Sequence, residues 1–470
     1  MLMASVLHVL DRLSAAGPSR SLITLVELQR AAGFPWSHRL VTLQPEVYTP
    51  SLLMARRAGL EVRRALSAQE FAEEIEAADL VQLHYWNNPA FLELLQRPLP
   101  VHRRILWFKV AGLAPPQVIT SELVACADIC VTTASVTLRL PTLAEACRQG
   151  LAEAIPGLAD LTRVKGFRVR PHAGLRAGYL GTTNFSKMHP GFVAMSAATA
   201  TRDLVFPVAG AGGGEGELQR QAEALGAAAR FEFLGFQENI RSVLESLDLF
   251  GYPLCPDTYA TSEKSLQEAM AVGLPPVVFP YGGLPDLVED GVTGRVVHSP
   301  EEYTGALDAL ARDPSERQRL GSAARRFIRS RFAPEKAAAA FSRLYKRAMD
   351  LPKRQQGLFA PGLLPCQRFA RMLGEAGEPF LRSIEADDRD AEQRIASSSF
   401  LLARGEGGLF QFRNAHPEDP WLRYWVALVL LSLGRGEAAS REHAEALRLG
   451  LPASRGLTLP QDHRSGASDG

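Results

Sequence analysis

The sequence of 470 residues lacks any apolar run long enough to cross a lipid bilayer, for which a helix needs about 20 residues. Its longest candidate, residues 425–433, ends at Gly434 and is followed by charged residues. The apolar start of the chain, residues 1–10, has no basic leader and runs into Asp11 and Arg12. We therefore expect no membrane-spanning helix, and we interpret the start as a buried strand rather than a signal peptide.

Cysteine is scarce, and neither sign of charge is in excess. The five cysteines include no Cys-x-x-Cys pair, which argues against a structural zinc site and favours reduced side chains in a cytoplasmic protein. Lys plus Arg number 52 and Asp plus Glu number 51, a net charge of +1. Proteins that hold nucleic acid through phosphate contacts are normally basic, so no nucleic-acid partner is expected.

Two series of alternating strand and helix patterns are present. The first begins at residues 5–10, where a short apolar run precedes a turn and an amphipathic stretch. The second begins at residues 177–180 and repeats that order. Such alternation predicts the α/β class, with parallel sheets covered by helices on both faces. We expect two doubly wound, Rossmann-like lobes, residues 1–172 and 173–350, with a ligand cleft between them.

The composition changes at the end of the second lobe. Residues 351–395 predict a linker and a helix, and residues 396–452 predict a helical extension. Within the extension, two apolar and small-residue patterns on either side of Gly434 resemble one tetratricopeptide-type helix pair. A single pair cannot bury its apolar face, so we expect it to pack on another surface or to bind a protein partner. Residues 453–470 predict a disordered tail.

The most informative segment of the chain is residues 268–278, which read EAMAVGLPPVV and precede a Gly-Gly-Leu-Pro-Asp sequence at 282–286. This segment resembles the signature of family 4 glycosyltransferases, which have the GT-B fold and retain the anomeric configuration of the transferred sugar. Further similar stretches occur in the family's order at residues 181–187, 208–212 and 233–236. The resemblance covers about residues 1–350 and is more specific in the second half.

The resemblance implies a hexosyltransferase-like enzyme that moves a sugar from a nucleoside-diphosphate sugar to a hydroxyl acceptor. The first lobe would bind the acceptor and the second the donor, in the synthesis of a glycan or polysaccharide. The nucleotide sugar would be a substrate, and no cofactor or obligatory metal is expected. The acceptor stays open between a glycan, a lipid-linked molecule and a protein. The main alternative is a catalytically inactive GT-B scaffold that binds a protein partner through its helical extension.

Most donor-binding residues implied by the resemblance lie in the second lobe. Glu268 is expected to open a helix and to accept the ribose hydroxyls, although an acid at a helix start also suits the helix dipole. Gly282 and Gly283 precede a predicted helix at Pro285, so their amides could approach a diphosphate or form an ordinary turn. The full expected set is Glu268, Glu263, Thr261, Gly17, Gly210, Gly235, Phe236, Gly282, Gly283 and Leu284.

Three residues are candidates for catalysis. Lys187 stands where the family neutralises the leaving diphosphate, although an isolated lysine is usually a surface charge. His84 follows the predicted strand 80–83, where an acceptor would arrive, and a structural histidine is an equally open interpretation. Lys109 falls at the position of a histidine that is frequent in the family's pocket. Gly17 matches a glycine-rich turn that faces the sugar, and Pro18 beside it removes one N–H donor.

The sequence departs from the family pattern at two charged positions. The first of two paired glutamates would fall at Ala260, and Glu263 is the nearest substitute. An arginine that binds phosphate would fall at Thr182, which leaves Arg168 or Arg170 as substitutes. These departures motivate the inactive-scaffold alternative.

Two further functions are disfavoured by the pattern. Gly210, Gly212 and Gly216 suggest a dinucleotide fingerprint, but Glu215 stands at the position of the third glycine, which argues against a nicotinamide-dependent oxidoreductase. The arginines of residues 317–331 would suit a helix at a membrane surface that meets a lipid-linked acceptor. The ordinary solvated face of a helix is the favoured interpretation of that run.

Overall fold

The structure, a computed structural model, describes residues 3–359 and 362–457. Its strands, in chain order, are β1 (Ala4–Leu10), β2 (Trp36–Thr42), β3 (Glu61–Arg64), β4 (Leu80–Tyr85), β5 (Arg104–Phe108), β6 (Ile129–Thr132), β7 (Ala152–Ala154), β8 (Leu175–Leu180), β9 (Leu204–Ala209), β10 (Phe231–Gly235), β11 (Leu249–Tyr252), β12 (Pro276–Val278) and β13 (Arg295–Val296).

Helices connect these strands and continue beyond them. The α-helices are α1 (Gly17–Ala31), α2 (Thr49–Arg57), α3 (Ala68–Glu76), α4 (Pro89–Gln96), α5 (Ser121–Ala125), α6 (Ala144–Arg148), α7 (Phe192–Ala197), α8 (Glu215–Ala224), α9 (Ile240–Leu244), α10 (Lys264–Val272), α11 (Pro300–Arg312), α12 (Pro314–Arg331), α13 (Pro334–Met349), α14 (Pro365–Met372), α15 (Glu378–Glu385), α16 (Arg389–Ala396), α17 (Phe400–Arg404), α18 (Leu409–Ala415), α19 (Pro420–Ser432) and α20 (Gly436–Arg448). Short 3₁₀ helices occur at Ser135–Arg139, Pro141–Leu143, Leu161–Val164, Ala228–Arg230, Leu284–Asp286 and Gly374–Gly377.

The chain forms two units. The first comprises residues 3–85, 99–113 and 127–355, and the second comprises residues 86–98 and 114–126 with the described residues from 356 onward. The first unit holds every strand named above, and the second is helical.

Two parallel sheets form the first unit. One has the strand order β3-β2-β1-β4-β5-β6-β7 and the other has the order β10-β9-β8-β11-β12-β13. Strands β4 and β5 are buried along their whole length, as expected for a parallel sheet that helices cover on both faces. The order of the strands reverses between β1 and β4 in one sheet and between β8 and β11 in the other. This confirms the predicted α/β class and the two doubly wound sheets.

Helix α13 returns from the second sheet to the core of the first. The Phe341 ring lies 4.4 Å from the Trp107 ring, measured between centroids, and the Tyr345 hydroxyl donates a 2.6 Å hydrogen bond to Oε1 of Gln82. The small residues Ala337 and Ala338 are buried in the same core. The amphipathic helix therefore connects the C-terminal end of the first unit to its N-terminal sheet.

Several short elements were not predicted from the sequence. β3 reads EVRR and is partly exposed, β7 has three residues and β13 has two. Edge strands of this kind are too short or too polar to show an apolar run, so only pairing with a longer neighbour identifies them.

The second unit is built from helices, including the expected pair around Gly434. Helices α19 and α20 lie on either side of that glycine, which has a φ of +70°. Trp425 of α19 packs against Phe380 of α15, with ring centroids 4.9 Å apart, and its Nε1 donates a 2.9 Å hydrogen bond to Oγ of Ser383. The apolar face of α19 is thus covered by neighbouring helices of the same unit, including α15 and α16 within the region 351–395 that was expected to be a linker and a helix.

The expected disordered tail is in part ordered. Residues 458–470 of the expected tail lie outside the described residues, whereas Arg455 is buried and its guanidinium lies 3.2 Å from Oε1 of Glu392. In the described part of the chain, no helix combines the length and the apolar composition that crossing a membrane requires.

The crossing of α10 and α12 provides a test of the packing. A Cβ at Gly321 of α12 would overlap the carbonyl oxygen of Gly273, which ends α10, whereas a Cβ at Gly305 of α11 would meet no atom within 4 Å. We expect Gly321→Ala to lower the free energy of unfolding by about 1 to 3 kcal/mol, because the helices must separate. Gly305→Ala should raise it by about 0.5 to 1 kcal/mol through helix propensity. Denaturant unfolding measures both, and changes of equal sign would contradict the crossing.

Candidate functional site

The loops that follow β8 and β11 bring the main candidate residues together. These strands are neighbours in the second sheet, at the point where the strand order reverses. Ligand sites in doubly wound sheets form at such points, beyond the carboxyl ends of the strands. Lys187 lies in the loop after β8, and Glu263 lies after β11 as the residue that precedes α10. Their side chains meet because the two strands are adjacent.

Lys187 and Glu263 form a buried ion pair. Nζ of Lys187 lies 2.7 Å from Oε2 of Glu263, and the Tyr252 hydroxyl donates a 2.5 Å hydrogen bond to the same oxygen. Burial by itself would lower the pKa of Lys187, but the Glu263 carboxylate raises that pKa above its ordinary value. Burial opposes ionisation of Glu263, yet Lys187 and Tyr252 hold its pKa below the usual range. Both groups are therefore charged at neutral pH.

Two stacked tyrosines adjoin this pair. The rings of Tyr179 and Tyr252 are 5.1 Å apart between centroids and inclined by 19°, and the Tyr179 hydroxyl donates a 2.7 Å hydrogen bond to the carbonyl oxygen of Thr182. Burial raises the pKa of both phenols well above its usual value, so they remain donors. At position 182, where the family pattern would have an arginine, the network uses a backbone carbonyl.

The two arginines expected to substitute for that missing cation lie elsewhere. Nε of Arg170 is 2.7 Å from Oε2 of Glu245, and the backbone N–H of Arg168 donates a 3.3 Å hydrogen bond to the same carboxylate. Both arginines are exposed. Within the described residues, neither forms an ion pair with the Lys187 and Glu263 site.

Glu268 lies inside α10 rather than at its start, which corrects the sequence prediction. The helix begins at Lys264, and Glu263 occupies the N-cap position. Oε1 of Glu268 accepts a 2.9 Å hydrogen bond from Nη1 of Arg163, which also donates from Nη2 to the carbonyl oxygen of Glu238 at 3.2 Å. Burial raises the pKa of Glu268 to about 7, although Arg163 acts in the opposite direction. Arg163 was not predicted, because nothing in its 3₁₀ turn marks it as a partner of a distant helix.

The glycine-rich loops after β8, β9 and β10 converge. The N–H of Gly210 donates a 2.8 Å hydrogen bond to the carbonyl oxygen of Gly235. Gly210 has a φ of +152°, and a Cβ there would overlap the carbonyl oxygen of Gly181. Phe236, which follows β10, is 53% exposed, an unusual placement for a large apolar ring. The structure thus brings Gly210 and Gly235 together and leaves the Phe236 ring available for contact.

The Gly282 and Gly283 segment forms a turn instead of opening a helix. Only a three-residue 3₁₀ helix, Leu284–Asp286, follows it, so the helix predicted at Pro285 is wrong. The N–H of Gly283 donates a 3.0 Å hydrogen bond to the carbonyl oxygen of Ala260. A Cβ at Gly283 would overlap the carbonyl oxygen of Thr261, and the Leu284 side chain is buried. The segment therefore forms an ordinary turn, which was the alternative to a diphosphate contact, and the Gly283 N–H is already hydrogen-bonded inside the protein.

Gly17, which begins α1 after β1, approaches a lysine that was not predicted. A Cβ added to Gly17 would lie 2.9 Å from Nζ of Lys264, and one added to Gly157 would lie 3.4 Å from it. Lys264 is the first residue of α10. Burial lowers the pKa of Lys264 to about 8, and Lys187 nearby contributes in the same direction. Its position next to Glu263 is the only sequence signal that could have pointed to it.

Lys109 and His84 lie in a buried aromatic cluster next to the carboxyl end of the first sheet. Nζ of Lys109 is 2.7 Å from the centroid of the Trp107 ring. Nε2 of His84 lies 3.1 Å from Nδ1 of His8, and Nε2 of His8 lies 2.9 Å from Nδ1 of His38. Burial lowers the pKa of all three histidines, to about 4 for His38, and it lowers the pKa of Lys109 well below its ordinary value. Nε2 of His84 is thus engaged inside the core, whereas its buried Nδ1 has no hydrogen-bond partner among the described residues.

The asparagines that follow His84 are also engaged in structure. The side chain of Asn87 donates a 2.5 Å hydrogen bond to the carbonyl oxygen of Pro116. Asn88 caps α4 by accepting a 3.0 Å hydrogen bond from the N–H of Phe91. Both asparagines are buried in the second unit, where their side chains hold the chain around the start of α4.

Comparison with known proteins shows that Lys187 and Glu263 lie in a segment that matches a protein-family model. Residues 187–327 match the sequence model of the family described as glycosyl transferases group 1. D-inositol 3-phosphate glycosyltransferase from Streptomyces coelicolor is 32% identical over 161 residues, which are 32% of this chain and 34% of that protein. Spore coat protein SA from Bacillus subtilis is 32% identical over 83 residues, 17% of this chain and 22% of that protein. The chain spans about a third or less of the length of these relatives.

Solved structures match a larger part of the chain. Anabaena HepE in complex with UDP and glucose has a TM-score of 0.60 at 16% identity, covering 73% of this chain and 100% of that one. The protein has the GT-B fold. Sucrose-phosphate synthase from Thermosynechococcus elongatus has a TM-score of 0.56 at 16% identity, covering 74% of this chain and 99% of that one. The Lys187 and Glu263 pair therefore lies in a protein with the GT-B fold, within the segment that matches the group 1 family model.

A double-mutant cycle tests the buried ion pair of the GT-B site. Lys187→Met leaves the Glu263 carboxylate without its cation, and we expect a loss of about 3 to 5 kcal/mol in the free energy of unfolding. The pair Lys187→Met with Glu263→Gln should be less destabilised than the sum of the single variants. Arg220→Met, which breaks an exposed pair with Glu217, is the control and should change little. Additive effects in urea unfolding would show that Lys187 and Glu263 do not interact.

The raised pKa of Glu268 predicts a pH dependence of stability. Burial lifts this pKa from 4.5 to about 7, so the folded protein binds the proton more tightly than the unfolded chain. Stability should fall as the pH rises from about 4.5 to 7, by about 3 kcal/mol from this group. Glu268→Gln should remove that loss, whereas Glu437→Gln, at an exposed side chain, should not. Unfolding curves at pH 5 and pH 8 that shift equally in wild type and Glu268→Gln would contradict this.

Proposed function

We propose that the protein is a retaining glycosyltransferase of the hexosyltransferase type, which moves a sugar from a nucleoside-diphosphate sugar to a hydroxyl group. The observation that carries the proposal is the Lys187 and Glu263 pair at the switch point of the second sheet. This pair lies inside the segment that matches the glycosyl transferase group 1 family. A cation at a strand end, beside the start of a helix, is suited to a diphosphate.

The proposed reaction needs charge stabilisation more than a protein nucleophile. The bond between the anomeric carbon and the diphosphate oxygen breaks, and a bond to the acceptor oxygen forms on the same face of the sugar. The acceptor proton passes to an oxygen of the departing phosphate. Lys187 and the first amides of α10 stabilise the negative charge that develops there. This route has no step that requires a metal, so we propose none.

Structural neighbours suggest which donors to examine first. HepE was solved with UDP and glucose and also with UDP-glucose, so uridine nucleotides are the first candidates for this chain. Phe236, with its exposed ring after β10, is positioned for apolar contact with the base. Relatives named for inositol 3-phosphate make phosphorylated inositol one acceptor to test beside glycan, lipid-linked and protein acceptors. We further propose a role in glycan or polysaccharide synthesis in the cytoplasm.

A nucleotide-binding scaffold without transferase activity is the second candidate. Ala260, at the position of the family's first glutamate, is buried, and its carbonyl oxygen is bonded to the Gly283 amide. Lys187 is already neutralised by Glu263. In this function the helical second unit would bind a protein partner. Donor binding without sugar transfer or donor hydrolysis, over a panel of acceptors, would favour the scaffold.

Calorimetry and a product assay test the proposed enzyme. We expect wild type to bind UDP and UDP-glucose and to release UDP when a suitable acceptor is present. The double variant Lys187→Met with Glu263→Gln removes both charges of the ion pair, and it should lose about 2 to 4 kcal/mol of donor binding or transition-state stabilisation. Lys346→Met, at an exposed position of α13, should behave as wild type. If uridine, adenosine and guanosine diphosphate sugars are neither bound nor turned over, the proposal that the protein is a glycosyltransferase is refuted.

A further inference from the structure

We propose that Lys264 is a second cation of the diphosphate site, reaching from the first turn of α10 to Gly17, which begins α1 after β1 of the first sheet. This inference rests on the proposed function, because it assigns a further residue to the same donor. It concerns a residue that the sequence analysis did not single out. Lys264 would replace the arginine that is missing at Thr182 and the N–H that is missing at Pro18.

The carboxylates near Lys264 are paired with other cations. Glu263 is bound to Lys187 at 2.7 Å, and Glu268 is bound to Arg163 at 2.9 Å. Each nearby carboxylate therefore has its own cation. Over the described ranges, Lys264 forms neither an ion pair nor a side-chain hydrogen bond, although Glu263 and Glu268 both act on its charge. A partly buried ammonium without a bound partner is costly unless an anion joins it.

The backbone around Lys264 also favours an anion. Its Nζ lies against Gly17, the first residue of the 15-residue helix α1, and Lys264 itself begins α10. Neither helix start has a side-chain hydrogen bond as a cap. Helix starts carry partial positive charge and unpaired amides. The Lys264 ammonium therefore lies against the uncapped start of α1, and its own backbone forms the uncapped start of α10.

A diphosphate has two phosphoryl groups, and the two lysines approach from the ends of different strands. Lys187 comes from the loop after β8, whereas Lys264 contacts the turn after β1. Two phosphoryl groups could therefore be held by cations that approach from different strand ends. No bond of the donor breaks or forms at Lys264. It positions the diphosphate, and it stabilises the charge that the leaving group gains.

The ionisation of Lys264 gives the inference a specific signature. Burial and the charge of Lys187 lower its pKa to about 8, while Glu263 and Glu268 act in the opposite direction, and Lys109 also faces this group. A bound diphosphate would raise the pKa again, because an anion favours the protonated amine. Binding near pH 8 should therefore be accompanied by uptake of a proton. A residue that only supports the fold would not produce this uptake.

Calorimetry with UDP, UMP and pyrophosphate, in buffers of different ionisation enthalpy near pH 8, tests the proposal. Lys264→Met should weaken UDP binding by about 10- to 100-fold, weaken UMP binding less, and abolish the proton uptake. Gly17→Ala, whose Cβ would displace Nζ of Lys264, should also weaken UDP binding and reduce the uptake. Lys346→Met is the matched control for removal of a lysine.

The outcomes separate this inference from the proposed function. If wild type binds UDP with a proton uptake that Lys264→Met removes, the assignment holds. If Lys264→Met or, should that variant not fold, Gly17→Ala binds UDP with wild-type affinity and uptake, Lys264 is not part of the site although the proposed function stands. If wild type binds pyrophosphate through Lys264 but no nucleotide, the anion site stands and the proposed glycosyltransferase fails. If wild type binds none of the three ligands, both are refuted.

Discussion

The buried carboxylate of Glu263 is the group on which the arrangement of the site depends. An ionised carboxyl group away from water is stable only when cations and hydrogen-bond donors surround it. Here Lys187 supplies the cation from the loop after β8, and Tyr252 supplies a hydroxyl from β11 itself. Because Glu263 also precedes α10, these contacts fix the start of that helix relative to two strands of the sheet.

The two residues that depart from the family pattern, Ala260 and Thr182, both take part in hydrogen bonds close to this carboxylate. Ala260 contributes its backbone carbonyl to the turn at Gly283, and the carboxylate lies three residues later in the chain, where it pairs with Lys187. Thr182 likewise contributes a carbonyl, which Tyr179 binds. At both positions the structure thus uses a backbone carbonyl as a hydrogen-bond acceptor.

The rest of the first unit holds these charges in position through close packing and a buried polar core. The tight approach of α10 to α12 at Gly273 and Gly321 leaves no room for a side chain. In the first sheet, three neutral imidazoles in a row satisfy one another's ring nitrogens in part, and α13 covers them with Tyr345. Helix α13 comes after the second sheet in the chain but packs on the first, so the two sheets share one continuous piece of backbone at the end of the unit.

The alternation of apolar runs and amphipathic stretches was enough to predict the α/β class, both doubly wound sheets and their longer strands, because these patterns arise from contacts between near neighbours in the chain. The resemblance in residues 268–278 pointed to the GT-B fold for a similar reason, since a contiguous motif needs no knowledge of the folded state. The short edge strands and the exact start of α10 were not predicted. The charge partners were decided only by the tertiary structure. Arg163 reaches Glu268 across 105 positions of sequence, and Lys264 meets Gly17 from the other sheet, because the loops at the carboxyl ends of parallel strands come together only after the sheets have formed.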